Sequence, residues 1–301
     1  MKFDLKTPYY KLIGLALLIY LLRFVDWERY LELVRNLKLL PFVLSCLVVF
    51  PQMMLKTLRW RELLADLGVP CRDGFYQLNL YYFAGLFFGI FTPGRLGDLI
   101  KFKFLETTDL KKAAAATFID RLWDLLVTLL FGILSIIYTF GISARIILLS
   151  AGTGLLCVLI LRILKFRAGN LTRFLPEALS GISMDYRAFL NPKRQCWIFA
   201  VTAVSICFFY FRMYIASIAL GVELSLLQIF LVCSSVSVAV LLPVSVSGFG
   251  TREGTVMLYF ARFKLSAAVA FAFSSLILAL TLFDGLIGYL AYIAIPARNR
   301  E

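Results

Sequence analysis

The stretch Pro243-Val244-Ser245-Val246-Ser247-Gly248-Phe249-Gly250-Thr251-Arg252-Glu253-Gly254 interrupts two apolar segments with serines, glycines and an Arg-Glu pair. Backbone that leaves the helix at membrane depth has unpaired N–H and C=O groups, which survive only inside protein or beside a water-filled cavity. Ionisable residues at that depth face bundle interiors and pair with one another. The stretch has a counterpart, Phe91-Thr92-Pro93-Gly94-Arg95-Leu96-Gly97-Asp98, which also follows an apolar, aromatic run. From 93 to 243 is 150 residues, about half of the 301-residue chain, so the two breaks read as equivalent points of an internal repeat.

The surroundings fit that reading. Hydrophobic residues make up 61% of the chain and the mean hydropathy is +0.87, against an apolar share of roughly 45–50% in water-soluble domains. The formal charge of +13 is spread over short loops. No basic-aromatic module of the nucleic-acid-binding kind is present, and a membrane with anionic lipid is the simpler partner. Histidine is absent, which removes the commonest general base and metal ligand. The six cysteines, Cys46, Cys71, Cys157, Cys196, Cys207 and Cys233, form no Cys-x-x-Cys pair and read as apolar packing residues. No phosphate-binding Gly-x-x-x-x-Gly-Lys-Ser/Thr loop occurs, which argues against direct ATP drive, and no Asp-x-Asp metal-nucleotide pair is present.

Spans of about 20 apolar residues are expected near 8–25, 39–58, 117–140, 145–164, 196–220 and 266–295. The first follows Lys2 and Lys6 without a cleavage site and reads as a retained helix. Two further runs, 76–92 and 226–242, end in the breaks and either cross or turn back. If both turn back, basic residues divide 21 to 8 between the two sides; if both cross, 10 to 19. Since Lys and Arg accumulate on the cytoplasmic side, the returning arrangement gives the sharper bias and puts both termini there. Each half then has three crossings, so the second half is inverted. The expected fold is an all-α integral membrane protein with about six transmembrane helices and two re-entrant broken hairpins. It forms an inverted repeat with halves near 1–140 and 141–301, an architecture recurrent in transporters.

Asp26 to Arg35 alternates apolar and charged positions at helical spacing and reads as an interfacial helix with Trp27 and Tyr30 at headgroup depth. The polar stretch 165–195 reads as a cytoplasmic loop, Leu96 to Leu105 as helical, and Arg59-Trp60-Arg61 as an interfacial anchor at a span's end. Asp120, Arg121 and Asp124 share a helix face and form either a headgroup or ion site or an interfacial salt-bridge patch. Arg95 with Asp98, and Arg252 with Glu253, form either anion sites beside glycine-freed backbone N–H groups or simple ion pairs. Arg212 and Asp284 lie inside apolar spans and pair with these clusters or with each other, unless Arg212 snorkels.

The segments Thr92 to Asp98, Asp120-Arg121-Leu122-Trp123-Asp124 and Pro243 to Glu253, the last with its Gly-Phe-Gly-Thr-Arg-Glu core, resemble a flippase-like transmembrane family that includes the membrane region of lysylphosphatidylglycerol synthase. The resemblance runs from about 10 to 295. That family often carries Glu where this chain has Asp98 and Asp120. The resemblance implies movement of a phospholipid or lipid-linked sugar between leaflets of a bacterial or archaeal cytoplasmic membrane. In the bifunctional synthases an appended cytosolic domain performs aminoacyl transfer; none is expected here, the chain running to Glu301.

The expected substrate-binding set is Arg95, Asp98, Asp120, Arg121, Asp124, Arg212, Ser245, Ser247, Gly248, Gly250, Arg252, Glu253 and Asp284, with no catalytic residue, metal or cofactor. Its formal charge is close to neutral, and Arg252 is the expected phosphate ligand because guanidinium binds phosphate through two parallel bonds. The alternatives are a membrane-embedded glycosyl or headgroup transferase using a polyprenyl-linked donor, and a scaffold for a lipid-modifying partner. The sequence is compatible with a homo-oligomer and does not fix the oligomeric state.

Overall fold

The computed structural model describes residues 11–90, 92–141, 191–241 and 248–296, with side chains except at 11–15 and 93–96. The expected span 145–164, most of the loop 165–195, Cys157, Ser245, Ser247 and the side chain of Arg95 lie outside it.

The described chain is helical throughout: α1 Lys11–Leu21, α2 Trp27–Arg35, α3 Leu39–Leu47, α4 Val49–Asp66, α5 Phe75–Ile90, a 3₁₀ run Pro93–Phe104, α6 Leu110–Phe140, α7 Pro192–Ala219, α8 Leu226–Leu241, α9 Thr251–Arg262 and α10 Ala267–Ala294. Among the described residues four stretches are long and apolar enough to cross a membrane: Leu39–Asp66, Leu110–Phe140, Pro192–Ala219 and Ala267–Ala294. The α3–α4 stretch is jointed at Val48 because Pro51 has no N–H to offer the Leu47 carbonyl. Local signals set the ends. The side chains of Asp26, Asp109, Asn191 and Ser266 accept backbone N–H groups at the starts of α2, α6, α7 and α10. Gly141, at φ 58°, closes α6. Outward faces remain apolar, as in the stripe Leu282, Leu286, Leu290 and Ile293 on α10. In a bilayer such a stripe needs no protein partner.

Both breaks are hairpins. In the first, α5 and the 3₁₀ run are antiparallel: the Tyr81 ring packs tilted against Phe104, and Gly97 packs on the Phe88 carbonyl so closely that a β-carbon would collide with it. Asp73, just ahead of α5, accepts the Tyr81 hydroxyl at 2.8 Å and the Glu106 backbone N–H at 2.9 Å, tying entrance to exit. The segment therefore turns back. The expected α-helix over 96–105 is instead wound as 3₁₀, a narrower form seldom sustained so long, and the slimmer arm suits the close approach at Gly97. In the second hairpin α8 and α9 are antiparallel, with the Ser235 and Tyr259 hydroxyls in contact and Gly248 against Val240. Gly248 and Gly250 have φ of 80° and 84°, and only glycine takes such values without strain.

Each hairpin packs on the long helix of the other half. On α10, Gly285 and Gly288 admit Ile90 and the Phe83–Phe87 backbone of α5; on α6, Gly132 and Ser135 meet Val238 and the Leu231–Ser235 turn of α8. The paired positions 132/285 and 135/288 are each 153 apart, while their partners 90/238, 83/231 and 87/235 are each 148 apart. The buried apolar residues form two clusters with the same exchange, one from α4 and α5 taking in Ala291 and Ile295, the other from α7 to α10 taking in Val127 of α6.

A buried ionic core between the spans and the hairpins

Among the described residues the largest polar assembly is centred on Arg59 of α4, which is 1% exposed. Its Nε donates to Asp120 Oδ1 at 2.7 Å, and its Nη1 donates to Asp124 Oδ1 at 2.8 Å and Thr202 Oγ1 at 2.6 Å. Nη2 reaches the Asp120 carbonyl at 3.2 Å. Lys56 donates to Asp124 Oδ2 at 2.7 Å, while Lys101, on the 3₁₀ arm, donates to Asp120 Oδ2 at 2.6 Å. Tyr82 donates to the same Asp120 oxygen at 2.8 Å. Beside it, Arg121 lies 3.5 Å from Asp98. One assembly thus draws on α4, α5, the 3₁₀ arm, α6 and α7.

Two smaller groups lie further along. Arg212 of α7 makes a two-pronged pair with Asp284 of α10, both bonds 2.8 Å, and donates to the Ser45 carbonyl at the α3–α4 joint. Thr202 and Arg212 are ten residues apart, about 15 Å along a helix, so α7 joins this pair to the Arg59 group. In the second hairpin Arg252 binds Glu253 and donates to Ser274 at 3.0 Å. Glu253 also accepts the Ser274 hydroxyl at 3.0 Å and the Gly250 N–H at 2.7 Å, the latter holding the first turn of α9.

The expected site residues therefore fall into three groups. Asp120, Asp124, Arg121 and Asp98 converge in the first, Arg212 and Asp284 in the second, and Arg252 and Glu253 in the third, with Gly248 and Gly250 shaping its turn. Arg212 does not snorkel; it is as buried as Arg59. Arg252 is engaged by Glu253 and Ser274 and covered. Arg59 corrects the interfacial-anchor reading: the span expected to end at 58 continues to Asp66, which places Arg59 and Trp60 inside the bundle. Lys56, Lys101, Tyr82, Thr202 and Ser274 also join the groups without having been expected. Lys56 already lay inside the expected span 39–58, and the span's true end would have found Arg59; nothing in the sequence marks the other four.

The added cations change the charge. Among the described members, Lys56, Arg59, Lys101, Arg121, Arg212 and Arg252 face Asp98, Asp120, Asp124, Glu253 and Asp284, a formal excess of one positive charge. Burying ions is costly, and a buried pair is often no more stable than an apolar replacement. Among the described residues no cluster of His, Cys, Asp and Glu could hold a metal. An open depression of about 530 Å³ near Lys38, Tyr214, Glu223 and Gln228 shares no residue with the ionic groups.

Apolar spans, returning hairpins and a buried ionic core define a multi-pass helical membrane protein. Residues 11–288 match the family described as the lysylphosphatidylglycerol synthase TM region, and the chain belongs to that family. It is 23% identical to a UPF0104 membrane protein of Methanocaldococcus jannaschii over 98% of this chain and 96% of that one. A UPF0104 membrane protein of Pyrococcus horikoshii is 22% identical over 60% of this chain and 56% of its own length. No solved structure matches.

Proposed function

We propose that this protein moves a phospholipid or a lipid-linked sugar between leaflets without ATP, its headgroup passing through the polar core between the two hairpins while the acyl chains stay in the bilayer. The observation that carries this reading is the Arg59 assembly: three cations and two carboxylates, all buried but the half-buried Lys56, where spans and a returning hairpin meet, with one positive charge in excess for a phosphate. An enclosed network with a surplus cation is a ready host for an anionic group that exchanges with one of the carboxylates.

The internal repeat is part of the proposal. The constant offsets of 153 and 148 at the reciprocal hairpin contacts support two equivalent halves, and three crossings in each, the number expected from the apolar runs, would make them inverted. Alternating access would then exchange which hairpin is closed. The cytoplasmic placement of both termini rests on the basic-residue bias, and the cytoplasmic membrane on the same ground.

Product analysis separates this from a transferase. Purified protein in liposomes, incubated with acyl-labelled phospholipid and with a polyprenyl phosphate sugar, is expected to leave both chemically unchanged by chromatography and mass spectrometry. A new lipid product that requires Asp120 and Asp124 would overturn transport in favour of catalysis.

A further inference from the structure

Lys101 occupies a site of unusual chemistry. Its ammonium lies 3.4 Å from the centre of the Tyr82 ring and 4.8 Å from that of Trp60, with Asp120 Oδ2 at 2.6 Å. Two aromatic faces and a carboxylate around a nitrogen cation form the arrangement by which proteins hold ammonium ligands. Here the chain supplies the ammonium itself, from a residue only 3% exposed.

The walls do not depend on Lys101 for their positions. Trp60 Nε1 donates to Thr117 Oγ1 at 2.9 Å, Tyr82 donates to Asp120, and Asp120 is held by Arg59. They come from α4, α5 and α6, whereas Lys101 comes from the second arm of the hairpin. Withdrawal of the Lys101 side chain would leave a formed cage lacking only its cation.

We propose that the Trp60–Tyr82–Asp120 cage is the ammonium subsite of the translocated headgroup, and that Lys101 fills it when no lipid is bound. This rests on the translocator reading and names the substrate class: a zwitterionic phospholipid head carrying one amine and one phosphate. Entry exchanges like for like. The lipid amine replaces Lys101 beside Asp120, and the released Lys101 meets the phosphate, so the group of Lys56, Arg59, Lys101, Asp120 and Asp124 keeps its formal charge. A purely anionic head would free Lys101 but leave the cage without a cation, and an unpaired buried charge is expensive.

Two measurements test this. In the first, Lys101→Met is melted in detergent with ethylammonium chloride or an equal concentration of sodium chloride. Ethylammonium should raise its Tm in a saturable way and the sodium salt should not, while the wild type shows little response. Lys101→Met/Tyr82→Phe should keep the response and Lys101→Met/Tyr82→Leu should lose it. No specific response to ethylammonium, or a response kept in the Leu double variant, would overturn the cage.

In the second, which also decides the matter should Lys101→Met fail to fold, wild-type protein in phosphatidylglycerol vesicles receives traces of three acyl-labelled lipids: phosphatidylethanolamine, its N-acetyl derivative and phosphatidylglycerol. The expected result is at least fivefold faster movement of the free amine than of either other lipid. Equal movement of all three would sink the ammonium subsite and leave translocation standing. Movement of none would sink the headgroup assignment and phospholipid translocation with it.

Discussion

At the scale of single residues, Arg59 is the cation that Asp120 and Asp124 share, and two substitutions separate its charge from its shape. Arg59→Ala leaves Asp120 and Asp124 short of their shared cation, and breaking a buried pair from one side costs about 3–5 kcal/mol; thermal unfolding in detergent should show a large drop. Arg59→Lys keeps the charge but cannot reach both carboxylates, Thr202 and the Asp120 carbonyl together, so it should fold better than the alanine variant yet transport poorly. Wild-type transport in Arg59→Lys would reduce the assembly to a structural ion pair. Outside the spans, burial beside Asp73 pushes the Cys71 thiol up to about 11. Because the thiolate is the nucleophile, Cys71 should alkylate at pH 7–8 far more slowly than a cysteine placed at the exposed neighbour Tyr76. Equal rates would show that Asp73 does not enclose it.

At the scale of elements, the glycines divide into those that admit a neighbouring backbone and those that do not. A β-carbon at Gly97 would run into the Phe88 carbonyl, and one at Gly288 into the Phe83 carbonyl, whereas at Gly254 it would meet only Leu17 and Leu21 at ordinary contact distances. Gly97→Ala and Gly288→Ala should each cost about 1–3 kcal/mol, the usual range for overpacking, and Gly254→Ala should be close to neutral; unfolding midpoints of the three variants check this. Gly250→Val, forced to a positive φ, should lose transport even where it still inserts. The elements were largely legible because apolar length and the two proline- and glycine-containing breaks are local properties: 76–92 and 226–242 became α5 and α8, and 266–295 became α10, to within two residues at each end. The 3₁₀ arm was hidden because its tight winding answers to α5, a partner that the pattern of residues 96–105 does not name. Arg59 was hidden by a span end placed too early, and Lys101 and Ser274 by depending on which arm docks against which helix.

At the scale of the whole molecule, the exchange of hairpins between α6 and α10 makes each half depend on the other. The two hairpins nevertheless close by different chemistry. The first is held to α6 by Lys101–Asp120 and Asp98–Arg121 ion pairs, the second by the Ser135, Ser235 and Tyr259 hydroxyls. Cysteine accessibility on a cysteine-free background should place 60–75 and 106–112 on one side of the membrane, as the Asp73 bridge between entrance and exit requires. Opposite sides would dismantle the inverted repeat. The central claim is that a headgroup crosses through the buried ionic core, and the most direct measurement is the transbilayer rate of an acyl-labelled phospholipid in liposomes, read by dithionite bleaching of the outer leaflet. Wild-type protein should expose the inner-leaflet label to bleaching at least tenfold faster than protein-free vesicles, and Arg59→Lys should return the rate towards that background while remaining folded; a wild-type rate equal to that of empty vesicles would contradict the account.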